Sequence, residues 1–248
     1  RNFMKQYQAI LFDLDGTLLP MDQDAFVSAY FHQLCKTVCA KTGVEAKALI
    51  DHVWAGTREM AHNDGSRSNE ACFWEQFSAW EGVSCQMIHD ACNAFYRNEF
   101  HEVHTVAHPN PYARRAIDAA HAIAPVVVLA TNPVFPMDAQ RERLSWIGLH
   151  ETDFDWITSY ENSCFCKPNA QYYLQICTQM RVTPQQCLMI GNNEGEDMFG
   201  ATTAGMEGYL VTDHRINDSQ HPWSGAQSTF SELTQWLEHL AKLKTNVS

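Results

Sequence analysis

Five short apolar runs punctuate the chain, at residues 9–12, 126–130, 156–158, 187–190 and 209–211. Four of them are rich in Val, Ile, Leu or Met and carry no polar alternation, the pattern of strands covered on both faces. Between the runs the period turns helical. Residues 111–124 are Ala-rich, 136–147 place Arg141 and Arg143 on an exposed face, and 169–180 follow a proline. A last helix, about 230–243, spaces Leu233, Trp236, Leu237 and Leu240 along one face, with Ser or Thr ahead of it as N-cap. Strands alternating with helices predict a parallel, doubly wound α/β sheet.

One interval breaks this rhythm. About ninety residues, from Met21 to His108, separate the first strand unit from the next, where a crossover needs about a dozen. Helical spacing runs through the interval: Phe26, Tyr30, Leu34 and Val38; then Phe73, Phe77 and Trp80; then Ile88, Cys92, Phe95 and Glu99. Gly82 and Asn63-Asp64-Gly65 mark turns within it. The predicted organisation is an α/β core over residues 1–20 and 105–248, with an inserted α-helical cap domain over 21–104. The aromatic stripes of the insert read as packing rather than as a ligand box. About thirty-five residues separate Asn132 from Lys167, too few for a second large cap there.

Charge and cysteine usage narrow the partners. Seventeen basic against 29 acidic side chains give −12 at pH 7. A phosphate backbone is bound through Lys and Arg, so this balance argues against a nucleic-acid partner, while one locally positive site could still take a small anion. No apolar run approaches the ~20 residues that cross a bilayer, and residues 1–8 lack the apolar core of a signal peptide, so no membrane partner is expected. Nine scattered cysteines lack the spacing of a zinc site and read as reduced thiols of a cytoplasmic protein. The spacing of His101, His104 and His108 before Pro109 suits a solvated helix end better than a metal centre. Nothing in the pattern specifies an oligomeric state.

The candidate chemistry lies where the strands stop. The first ends in Asp13 and Asp15, the second in Thr131-Asn132, and the segment after the third in Lys167-Pro168. The fourth ends in Gly191-Asn192-Asn193-Glu194-Gly195-Glu196-Asp197. Ligands of open α/β sheets bind outside the carboxyl ends of the strands, so these four groups are expected to converge on one crevice. Singly, each has a plain explanation: Asp-Gly is turn chemistry, Thr-Asn caps helices, Lys-Pro is a loop. Four in chain order, each at a strand end, do not.

In these residues the sequence resembles the haloacid dehalogenase-like (HAD) hydrolase superfamily. FDLDGT matches its first motif, an apolar strand followed by DxDGT. VVVLATN resembles the second, Lys167 before Pro168 the third, and MIGNNEGED the fourth, which is GD or GND followed by an acid. The resemblance implies a Rossmann-like core with a helical cap after the first motif, where the large insert lies. It also implies phosphoryl chemistry, because the family's dehalogenases lack an aspartate at the Asp15 position and its pump ATPases carry DKTGT. The implied activity is Mg²⁺-dependent hydrolysis of a small phosphorylated metabolite through an aspartyl-phosphate. A phosphomutase, or a catalytically weak binding or regulatory protein of the same fold, would use the same constellation.

The residue types suit that chemistry. Asp13 is the candidate nucleophile. Asp15, two residues on in extended chain and so on the same side, can protonate the leaving oxygen and later activate water. The Thr131 hydroxyl, an Asn132 backbone N–H and the Lys167 charge would hold the phosphate. Mg²⁺ prefers oxygen ligands, offered by Asp13, the Asp15 carbonyl and the fourth motif. There a GND-type register puts Asn193 where the family carries a metal-binding aspartate, with Asp197 beyond it; a GD-type register would put Asn192 there instead. Glu194 and Glu196 lie near enough in sequence to make up the missing charge. The enclosed substrate would be a sugar phosphate, phosphoglycolate or a nucleotide monophosphate. Arg58, Arg67 and Arg97 of the insert read as surface or ion-paired residues, one of which could meet an acidic substrate group.

Overall fold

The computed structural model describes residues 6–245; residues 1–5 of the polar N-terminal stretch, and 246–248, lie outside that range. Six strands, β1 (Ala9–Phe12), β2 (Val126–Leu129), β3 (Trp156–Ile157), β4 (Cys187–Gly191), β5 (Glu207–Val211) and β6 (Gln227–Ser228), pair in parallel in the order β3-β2-β1-β4-β5-β6. The first five lie on the apolar runs. The sixth is polar and two residues long, so no run announces it.

Every residue of β1 is buried because the strand has a neighbour on each side and helices over each face. Phe12 sits opposite Leu129 of β2 and Ile190 of β4. Ile10 and Phe12 enter one apolar cluster with α5 (Ala113–Ile123) and α9 (Phe230–Thr245), whereas Ala9 and Leu11 enter another with α7 (Ala170–Met180) and α8 (Gly200–Thr203). Burying each large apolar side chain in such a core is worth about 1.5–3 kcal/mol. Thr229 and Glu232 close α9 with a capping box: the Thr229 Oγ1 accepts from Glu232 N–H (3.3 Å), and the Glu232 carboxylate accepts from Thr229 N–H (3.1 Å).

The insert consists of α1 (Gln23–Thr42), α2 (Ala46–Ala61), α3 (Asn69–Ser78) and α4 (Cys85–Asn98), followed by a 3-10 turn over Phe100–Val106. Asp22, Glu45, Ser68 and Ser84 cap the four helices through their side chains. Met21 and Ala107 form an antiparallel bridge where the chain leaves the α/β layer and returns to it. Phe26, Tyr30, Leu34 and Val38 are buried along α1, as their spacing predicts. His101 and His104 are exposed, the Nδ1 of each lying 2.6–2.7 Å from a backbone carbonyl. Among the described residues no helix is long and apolar enough to cross a membrane.

The remaining helix, α6 (Met137–Ser145), corrects the sequence reading. Arg141 is exposed and pairs with Glu151, but Arg143 is completely buried. At 3.6 residues per turn, positions two apart point about 200° from each other, so the two arginines cannot share a face. Arg143 belongs to the inner stripe with Ala139, Gln140 and Leu144.

Candidate active site

The winding reverses at β1, whose neighbours β2 and β4 begin the two opposite halves of the sheet. The crevice outside such a switch point is where doubly wound sheets bind ligands. Asp13 follows β1 immediately, its N–H donating to the Ile190 carbonyl at 2.8 Å, so its carboxylate stands at the crevice floor. Gly16 then turns the chain at φ 80°, and a Cβ on it would run into the Asn192 amide. The Thr17 hydroxyl lies 3.2 Å from Asp13 Oδ2 and 3.3 Å from Asn192 Oδ1.

Lys167 organises the centre. Its ammonium donates to Asp13 Oδ1 at 2.8 Å and to Asp197 Oδ1 at 2.7 Å, with the side chain entirely out of solvent. Burial works against this charge, but the two carboxylates outweigh it and hold the ammonium well above the ordinary lysine range. Asp197 is pushed up to about 6, first by burial and then by the nearby Asp13, with Lys167 opposing. The Asn132 side chain accepts from Lys167 N–H at 3.2 Å, tying the end of β2 to the lysine loop. Asp13, Asp15, Thr131, Asn132, Asn193 and Asp197 all line one cavity of about 190 Å³, above the buried lysine.

Asp15 has a partner that the sequence reading missed. Its Oδ2 pairs with the Arg143 guanidinium, which also grips Gln140 and lies over the Phe135 ring at 4.8 Å. The other oxygen, Oδ1, is buried with no hydrogen-bond partner among the described residues. Burial raises the Asp15 pKa, Arg143 works against the rise, and Asp13 adds to it. The net direction is upward. The signal for Arg143 was the helical period of α6.

Residues 7–205 match the family of haloacid dehalogenase-like hydrolases. The chain belongs to that family. A 72-residue stretch of this hydrolase is 36% identical to the glyceraldehyde 3-phosphate phosphatase of Methanothermobacter thermautotrophicus, and spans 29% of this chain but only 31% of that relative. Its fold resembles a 2-haloacid dehalogenase from Pseudomonas syringae pv. Tomato DC3000, with a TM-score of 0.63 and 18% identity over 96% of this chain and 100% of the other. It also resembles a HAD phosphatase from Thermococcus onnurineus, with a TM-score of 0.57 and 16% identity over 93% and 97%. At these identities the two structures speak for architecture alone.

Whether the hydrolase offers a site for Mg²⁺ depends on which oxygens are free. Asn193 Oδ1 already accepts the N–H groups of Gly195 and Glu196, both at 3.0 Å, capping the turn that follows. An aspartate there could cap with one oxygen and coordinate with the other; the second polar atom of an asparagine is a nitrogen donor. Asp197 is equally engaged, Oδ1 by Lys167 and Oδ2 by Asn193 N–H at 3.0 Å. Glu194, expected near the metal, is instead turned to Arg215 and to the N–H groups of Asp218 and Trp223. The Asp13 carboxylate is engaged in the same way, Oδ1 by Lys167 and Oδ2 by Thr17, and among the described residues no three His, Cys, Asp or Glu side chains are grouped to hold a metal ion. Mg²⁺ keeps several waters and needs one or two carboxylates, and with the oxygens of Asp13 and Asp197 all turned to protein donors the residues as arranged do not fit it. Glu196 does face the cavity, hydrogen-bonded to Asn132, and burial pushes it up to about 7.

Proposed function

We propose that this hydrolase cleaves small phosphomonoesters by covalent catalysis on Asp13. The observation that carries the reading is the buried ammonium of Lys167 held between Asp13 and Asp197, with Asp15 two residues on and tethered by Arg143. An Asp13 oxygen attacks phosphorus and the bond to the ester oxygen breaks, while Asp15 delivers its proton to that oxygen. Water then attacks the aspartyl-phosphate, Asp15 takes the water's proton, and phosphate leaves with Asp13 restored. Lys167 supplies positive charge beside the equatorial oxygens, where phosphoryl transfer accumulates negative charge. The Thr131 hydroxyl and the Asn132 backbone face the same group. Mg²⁺ is implied by the resemblance, but none of these steps is assigned to it.

The test is phosphate release from a panel of phosphomonoesters that includes glyceraldehyde 3-phosphate, run with Mg²⁺ and with a chelator. Hydroxylamine trapping of the acyl phosphate accompanies it, and Asp13→Asn is the control. Asp13-dependent release and trapping are expected, and release that survives Asp13→Asn would refute the nucleophile. One observation favours a second reading. The neutral Asn193, engaged as a cap, suits a weakly catalytic protein that binds phosphate esters, and binding without turnover in every arm would select it.

A further inference from the structure

A second cavity of about 260 Å³ adjoins the catalytic one, enclosed by the insert helices on one side and by residues 132–135 with Tyr160 on the other. The two share Gln23, Asn132, Val134, Phe135 and Glu196, so a group bonded to the reacting phosphoryl passes directly from one into the other. The wall contains no Lys, Arg or His, and its single acid is Glu196. Its hydroxyls are already paired. Tyr30 and Tyr96 oxygens lie 2.7 Å apart, Thr57 donates to its own helix at Val53 (2.8 Å), and Tyr160 accepts from the Trp74 indole (3.4 Å). None of the three insert arginines lines it: Arg67 pairs with Glu75, Arg97 with Asp138, and Arg58 is exposed.

Such a wall discriminates by chemistry. A polyhydroxylated sugar or a second anion would give up more water than the few polar groups of this wall, chiefly Gln23, Asn132 and Glu196 where the two cavities meet, can replace, which weakens binding for every unmatched group. An apolar ring loses nothing comparable and meets the side chains of Tyr30, Phe73 and Phe135. A dry apolar cavity of about 150 Å³ holds a benzene molecule, so about 260 Å³ has room for two fused rings.

We infer that the substrate is the phosphomonoester of an apolar, ring-bearing alcohol, with the ring seated in this second cavity. The inference rests on the phosphatase reading above and departs from the expectation of a sugar phosphate or phosphoglycolate. It is tested by kcat/KM for benzyl and 2-naphthylmethyl phosphates against ethyl phosphate, glycerol 3-phosphate and ribose 5-phosphate, all esters of primary alcohols. The ring esters are expected to lead by about a hundredfold. Thr57→Phe and, separately, Val27→Phe narrow the cavity from two helices. Each is expected to lower the ratio of 2-naphthylmethyl to ethyl phosphate by at least tenfold, folding being confirmed by circular dichroism. Binding of 2-naphthalenemethanol, which has no phosphate, is followed by fluorescence in parallel and is expected to weaken at least tenfold in both variants. Preference for the sugar or glycerol ester, or naphthalenemethanol binding absent or untouched by both variants, overturns the inference. If no ester is hydrolysed yet the alcohol binds and both variants weaken it, the cavity assignment stands and the phosphatase reading falls.

Discussion

Replacing Arg143 by Met separates a buried ion pair from the packing around it. Methionine keeps most of the length and volume of the side chain, so the change is mainly the loss of a charge. It leaves the Asp15 carboxylate in the interior without its partner, a situation that costs about 3–5 kcal/mol when one member of a buried pair is removed. The lost contact with the Phe135 face belongs to the same figure. In a chain of this size about 1 kcal/mol moves the melting temperature by about 2–4 °C, so Arg143→Met should melt about 6–20 °C below the parent. Arg143 stabilises ionised Asp15, and that benefit is lost as pH falls and Asp15 takes up a proton; the deficit should therefore be smaller at the lower of two assay pH values. Adding Asp15→Asn removes the stranded charge and should recover at least about 2 kcal/mol, a coupling read from urea unfolding of all four proteins in the cycle. A coupling below about 0.5 kcal/mol, or a deficit equal at both pH values, would show that Arg143 is a packing residue and that Asp15 is not held by its charge.

Three more expectations follow from the same geometry. A Cβ at Gly191 would collide with the Asp197 carboxylate, so Gly191→Ala should displace the anchor of Lys167 and lower kcat at least tenfold with a smaller change in KM; steady-state kinetics check it. Asn193→Asp supplies a second oxygen beside the cap and should raise Mg²⁺ affinity at least tenfold by calorimetry, and unchanged affinity would place the limit elsewhere. Burial pushes Glu196 up to about 7, so the folded protein holds a proton that the unfolded chain releases from about pH 4.5 upward. Relative to Glu196→Gln the parent should lose stability between about pH 4.5 and 7 and change little above, as melting temperatures at pH 4.5, 6 and 8 would show.

Where an apolar run met a change of polarity, the sequence was readable. Ala9–Phe12 reads as a doubly covered strand, and the strand-end rule then brings Asp13, Asp15, Thr131, Asn132 and Asp197 to one crevice, with Lys167 buried beneath it, without any long-range information. What stayed hidden depends on contacts between distant segments. Glu194 and Glu196 look alike in sequence, yet one clamps Arg215 and the other faces the cavity, because the turn that Asn193 caps points them apart. The register at Asn193 was legible as a position but not as chemistry, since only its two N–H partners show that its oxygen is occupied. The ring-lined cavity needs four helices of the insert to meet residues 132–135, a juxtaposition that no periodicity along one helix contains.

The central place of β1 also has a meaning for synthesis. Its pairing partners, from Val126 on one side and Cys187 on the other, are both made more than a hundred residues later. At about 5–20 residues per second, the ribosome needs at least about 5–20 s to deliver the first of them. For that interval the tetrapeptide Ala-Ile-Leu-Phe and the aspartates beside it have no strand to join, while the insert, whose helices pack largely on one another, is made in between. The newborn chain is thus obliged to keep a wholly apolar strand unpaired until the segments that complete the crevice have been translated, and shielding that strand falls to the nascent insert or to a chaperone.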